Sequence, residues 1–124
     1  IMPIDPRAPY DDANVFARIL RGELPCKKVF EDDFALAFHD INPQAPVHIL
    51  VIPRRAIPRI GQAEDGDAGT LGKLLLAARE IAKDQGIDET GYRLVINNGP
   101  HGGESVPHLH VHLMGGRPMD WPPG

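Results

Sequence analysis

The chain is poor in cysteine: Cys26 is its single one. No internal disulfide can form, one thiol cannot build a Cys-based zinc site, and nothing in the cysteine content calls for an oxidising compartment. Long apolar runs are missing too. None approaches the roughly 18 residues that a membrane span needs. The opening "IMPIDPRAPY" lacks the apolar segment of a signal peptide. It begins with Ile rather than Met, which leaves open a segment removed upstream. With two prolines in its first six residues, this leader (1–13) is expected to be extended and loosely held. A basic excess is also absent. Thirteen Lys and Arg stand against seventeen Asp and Glu, a formal net charge of −4. That argues against a nucleic-acid polymer or an anionic membrane as partner, while leaving room for a small local anion site. These absences set the expectation of a cytoplasmic protein.

What remains is a globular profile: 124 residues, 42% hydrophobic and 24% charged, suit one domain, read here as residues 14–124. A chain of this size can bury a core, and dimerisation would help it. "DDANVFARILRG" predicts a first helix capped by Asp11 or Asp12. Val15, Phe16, Ile19 and Leu20 form one apolar stripe, and Gly22 ends it. "KKVFEDDFALAFHD" predicts a hairpin with strands near 27–31 and 34–39 and its turn near Asp32. "VHILVIP" (47–53) predicts a strand buried on both faces. A second helix is expected from about 67–70 to Gly86, burying Leu71, Leu74, Leu75, Ala78, Ile81 and Ala82. "YRLVINN" (92–98) predicts another strand, and "GPHGGES" (99–105) a glycine-rich loop. The pattern is that of an α+β domain on a mostly antiparallel sheet with two main helices.

Three of the six histidines stand at alternate positions in "HLHVHLM". In a strand, His108, His110 and His112 share one face, while Leu109, Val111 and Leu113 share the other and can pack on a core. Three readings compete. One is a row of surface histidines. One is a metal site, although at about 3.3 Å per residue the outer histidines have Cα atoms roughly 13 Å apart, so a pair with His48 is the better ligand set. The third is nucleophilic chemistry at phosphorus. Neutral imidazole is a good nucleophile near physiological pH, and the middle histidine, His110, has a partner on either side. The preceding "NNGPHGGES" fits the third reading: its backbone N–H groups can approach an anion, with Ser105 near a leaving group and Asn97 near a phosphate oxygen.

The motif "HLHVHLM" resembles the His-φ-His-φ-His-φ-φ pattern, φ being apolar, of the histidine triad (HIT) family. "VFARILRGELPCKKVFEDDFALAFHDINPQAPVHILVIPRR", "YRLVINNG", "GGESVPHLHVHLMGGR" and the final "WPPG" are similar to the Hint branch of histidine triad nucleotide-binding proteins, over roughly residues 14–124. The resemblance implies a HIT-like fold whose sheets join across a homodimer. It implies binding of purine nucleoside monophosphates. It also implies hydrolysis of the P–N bond of nucleoside 5′-phosphoramidates, of the AMP–amine or AMP–lysine type, through a covalent nucleotidyl-histidine, with no metal or cofactor. In that resemblance His110 takes the nucleophile position. His112 contacts the phosphate, Ser105 lies near the leaving amine, and His108 and His48 form a supporting pair behind the nucleophile. Asp40 accepts from the ribose hydroxyls, and Asn97 bonds on the phosphate side. Val15, Phe16, Ile19, Phe38, Ile41 and Leu50 line the base slot, with His39, Gly103 and Val106 also in the nucleotide pocket. Without the resemblance, Asp40 also reads as a strand-end turn residue, and Phe16, Ile19 and Phe38 as plain core. Trp121 in the irregular tail is expected at a dimer contact. The competing functions are a non-catalytic nucleotide-binding module and a His-ligated metallohydrolase.

Overall fold

A computed structural model describes residues 4–124; the start of the leader, residues 1–3, lies outside the described residues. The first helix, α1, spans Val15–Leu20 and is capped by Asn14, not by Asp11 or Asp12. Asn14 Oδ1 accepts the Ala17 N–H at 2.9 Å, satisfying one of the free donors of the first turn. Asp11 instead shapes the turn ahead of the cap, accepting from Ala13 N and, through its carbonyl, from Asn14 Nδ2. Gly22, at φ 78°, lets the chain turn out of the helix. The buried face of α1 is narrower than its stripe predicts: Phe16 and Ala17 are buried, Val15 is exposed.

The next elements are β1 (Lys28–Glu31), β2 (Ala35–His39) and β3 (Val47–Pro53). The β1–β2 turn is held by Asp32, whose Oδ1 accepts from Phe34 N and Ala35 N, each at 2.8 Å. After two short 3₁₀ turns come α2 (Ala68–Asp84), β4 (Tyr92–Val95), the single-turn α3 (Gly99–Gly102) and β5 (Val111–Gly115). The five strands form one antiparallel sheet in the order β1-β2-β3-β5-β4.

Two departures from the sequence expectations shape the site. The predicted strand over 92–98 ends at Val95, and the "loop" over 99–105 opens with the α3 turn. The histidine segment enters the sheet only at Val111, so His108 and His110 precede β5. The last β3–β5 pair is Val51 with Val111. Two residues on, Pro53 has no N–H to extend the ladder, and Leu109 N donates to Ile57 O at 2.7 Å instead.

The alternation of side chains nevertheless holds through the segment. Leu109, Val111 and Leu113 are buried with Ala35, Ala37, Ile49 and Val51 beneath the α2 residues Leu74, Ala77, Ala78, Ile81 and Ala82. Leu75, expected on that buried face, is exposed; the covered stripe is centred on 74, 78 and 81, and Leu75 falls on its rim. The opposite face carries a second cluster, Phe16, Leu36, Phe38, Leu50 and Ile52. Cross-strand register sets Phe38 against Leu50 and Leu50 against His112 on that face.

Where it is described, the leader is hydrogen-bonded to the rest of the domain. Arg59 Nη1 donates to Pro6 O at 3.3 Å and Gln62 Nε2 to Ala8 O at 3.5 Å. Arg59 is itself buried and forks onto Glu104, with Nε–Oε1 at 2.9 Å and Nη2–Oε2 at 3.1 Å. Glu104 Oε1 also accepts Gly99 N at 2.8 Å, which closes the turn ahead of Ser105. Removing one partner of a buried pair leaves an uncompensated charge. Arg59→Met or Glu104→Leu is therefore expected to lower stability by about 3–5 kcal/mol. The double variant is expected to lose clearly less than the sum of the two, as read from urea unfolding of all four proteins.

Candidate active site

The site forms where α1 covers the second face of the sheet. The Phe16 ring stands edge-on to His110, with centroids 4.9 Å apart, and to Phe38 at 5.6 Å. Ile19 and Val106 pack on the same cluster as Phe16, Phe38 and Leu50. Five of the residues expected in a base slot or pocket are thus brought together. Val15, His39 and Ile41 lie outside that packed cluster and are exposed, Ile41 completely.

His110 is buried, and its Nδ1 lies 2.7 Å from the His108 carbonyl oxygen. A carbonyl only accepts, so Nδ1 carries the proton. In the neutral ring the lone pair is then on Nε2. Burial pushes this imidazole below its ordinary pKa, against the opposing pull of the His108 carbonyl and the charges of Glu104 and Asp40. His108 is locked in the same way: its Nε2 is 2.9 Å from Pro53 O, and burial lowers its pKa too.

His48 bonds on the other side of His110. Gln44 N donates to His48 Nδ1 at 3.0 Å, so His48 Nε2 bears the proton in the neutral ring and donates to His112 Nδ1 at 2.9 Å. That leaves His112 with an Nε2–H donor. Burial, reinforced by His110 and His48, pushes His112 down to about 4. His108 and His48 are therefore not one supporting pair. One holds His110 through its backbone, and the other holds His112 through its ring.

Asp40 is the strand-end turn residue, and it also faces a histidine. Oδ1 accepts Asn42 N at 2.8 Å as a turn residue, while Oδ2 lies 3.4 Å from His48 Nε2. Asp40, His48 and His112 each offer a ligand atom within 4.8 Å of the others, the grouping closest to the metal reading. Asn97 is half-buried, and Ser105 is exposed just beyond Glu104. The turn offers an anion fewer donors than its glycines suggest. Gly103, at φ 79°, donates to Pro100 O, and Glu104 donates to Gly99 O. Sequence reasoning missed Tyr10, Gln44, Arg59 and Glu104. No periodicity or motif marks them, since each acts through a contact distant in the chain or through a backbone group.

Several comparisons agree with this architecture. The HIT domain family profile matches residues 21–119. A HIT-like protein of Synechocystis is 53% identical over 110 residues, covering 89% of this chain and 96% of the relative. A crystal structure of a HIT family hydrolase from Legionella pneumophila superposes with a TM-score of 0.87 at 48% identity, covering 89% of this chain and 98% of that one. A histidine triad nucleotide-binding protein from Candida albicans superposes with a TM-score of 0.76 at 29% identity, covering 89% and 83%.

The lowered values of His108, His110 and His112 fix the sign of a pH dependence. Each ring binds its proton less readily when folded than when unfolded, so the unfolded chain gains protons first as pH falls. Stability is expected to be flat above the unfolded value near 6.5 and to decline as pH drops from about 6.5 toward 4. Imidazole NMR titration is expected to find His112 still mostly neutral at about pH 5.5; a fully charged His112 at that pH would contradict the burial argument.

Proposed function

The chain belongs to the HIT domain family, and from that premise we propose that it is a purine nucleoside phosphoramidase of the Hint branch, cleaving the P–N bond of AMP–amine or AMP–lysine conjugates through a covalent nucleotidyl-histidine. The observation that carries this reading is the state of His110: a buried neutral imidazole, its Nδ1–H held by the His108 carbonyl at 2.7 Å, with the Nε2 lone pair left for attack.

In the first step His110 Nε2 attacks phosphorus in line, the P–Nε2 bond forms and the P–N bond to the amine breaks. The leaving nitrogen takes a proton as it departs, since an amide anion is a very poor leaving group. Ser105 and the His112 Nε2–H are the two groups assigned to that relay. The His112 N–H also stabilises charge on the non-bridging oxygens. In the second step water attacks phosphorus and gives a proton back to the group that protonated the amine, the P–Nε2 bond breaks with its electron pair returning to His110 Nε2, and AMP leaves. The base slot is the cluster of Phe16, Ile19, Phe38, Leu50 and Val106. Asp40 Oδ2 accepts from the ribose hydroxyls, Asn97 bonds a phosphate oxygen, and Gly103 gives the turn its left-handed step.

The metal reading draws on the Asp40–His48–His112 grouping. The hydrogen bonds there weigh against it. Gln44 N occupies His48 Nδ1, so a cation would have to displace the His48 Nε2 proton and break the 2.9 Å bond to His112. A homodimer completes the proposal. Among the described residues the outer edge of β4 pairs with no strand, and Tyr92 and Ile96 on and just beyond it are exposed.

The test is turnover of an adenosine phosphoramidate with chelator present throughout. Wild type is expected to release AMP, and His110→Ala to lose at least about a thousandfold in rate while still binding AMP. Binding without turnover by wild type would favour a regulatory nucleotide-binding module. Activity lost to the chelator would favour the metal enzyme. Light scattering is expected to give twice the chain mass, and Leu94→Pro, which takes a donor from edge strand β4, to give less dimer or none; a wild-type monomer at micromolar concentration would remove the dimer from the proposal.

A further inference from the structure

The geometry points to Tyr10 as a positioning residue of this site, acting on His110 through His108; the inference rests on the reading of His110 as nucleophile. The Tyr10 hydroxyl oxygen lies 2.7 Å from His108 Nδ1 across 98 residues of sequence. The direction of that bond follows from the other ring nitrogen. Pro53 O can only accept, so the His108 proton is on Nε2, and the neutral ring presents a lone pair at Nδ1. The Tyr10 O–H is the donor that satisfies it.

His108 is buried, so an unsatisfied ring nitrogen there would be costly, and the ring would be left with its Nε2 bond to Pro53 O as its one side-chain hydrogen bond. Its backbone is equally engaged. His108 N donates to Val106 O at 2.9 Å, and His108 O receives the His110 Nδ1–H. Tyr10 and Phe16 also close on the His108 ring edge-on, with centroids at 5.7 and 6.4 Å. The ring held by Tyr10 and the carbonyl that holds His110 belong to one residue. A shift of either is passed to the Nε2 lone pair.

Two further contacts hold the segment carrying Tyr10. Arg59 donates to Pro6 O and Gln62 to Ala8 O, and Arg59 is the partner of Glu104, next to Ser105. The leader is thus tied to both halves of the site: to the histidine row through Tyr10, and to the Ser105 turn through Arg59.

The experiment compares full-length Tyr10→Phe with wild type by two readouts. Phenylalanine keeps the ring packing and removes only the O–H. In turnover of the adenosine phosphoramidate, kcat is expected to fall about 5- to 30-fold while KM and AMP affinity stay within about twofold. In imidazole nitrogen NMR spectra, His108 Nδ1 is expected to move toward the position of an unbonded lone pair, and the His110 Nδ1–H resonance to shift as its bond to the His108 carbonyl is perturbed. A lower melting temperature with unchanged kcat and unchanged His108 and His110 resonances would make Tyr10 a packing residue and overturn the assignment. Absence of turnover in wild type would sink the phosphoramidase reading alone; the nitrogen spectra of the two proteins would still decide whether Tyr10 governs His108 and His110.

Discussion

The site depends on one constraint, the burial of Leu109, Val111 and Leu113 beneath α2. Those side chains fix which way the segment faces, because a one-residue slip would exchange its two faces and expose all three. His108, His110 and His112 then have no choice but the α1 side of the sheet. The same force that stabilises the core therefore aims the chemistry. β3 is shared by both faces. Ile49 and Val51 lie with the α2 cluster, while Leu50 and Ile52 lie with the α1 cluster, and His48 joins the α1 side.

Burial then does a second job. Withdrawing imidazoles from water disfavours their charged form, so the rings stay neutral where a nucleophile has to be neutral. Neutrality alone leaves two tautomers. The choice is made by groups with only one hydrogen-bonding role: the carbonyls of His108 and Pro53, which accept, and Gln44 N–H, which donates. Each histidine in the row has its proton assigned by such a group or by a neighbour that such a group has already fixed. The chain thus sets a specific lone pair at His110 Nε2 through hydrogen bonds of backbone groups and neighbouring rings.

The interactions that hold this arrangement are long in sequence. Arg59 with Glu104 joins residues 45 apart, and Tyr10 with His108 joins residues 98 apart. Both bear on the short turn between α3 and β5, where regular secondary structure is least able to support the backbone. A buried ion pair is a costly device unless its hydrogen bonds are satisfied, and here Glu104 is shared with Gly99 N and Arg59 with Pro6 O.

Sequence by itself determined the α+β class, the positions of α1, α2 and the strands, and the alternation of the histidine segment, because apolar periodicity is a local record of which face will be buried. Through the family resemblance it also named Phe16, Phe38 and Leu50 of the α1-side cluster, with Ile19 and Val106 packed on it, but not Leu36 or Ile52. Element ends were less legible. The cap at Asn14, the end of β4 at Val95 and the late entry of β5 at Val111 turn on which partner is within reach, as with Pro53 having no N–H to give. The exposure of Leu75 and Ile41 was decided the same way, by what packs beside them. Only the tertiary structure decided that His48 serves His112 while His108 serves His110, that Asp40 divides its two oxygens between a turn and a histidine, and that Tyr10 reaches the site. Those assignments rest on distances between residues far apart in the chain, and on single hydrogen atoms whose positions follow from partners that no local pattern encodes.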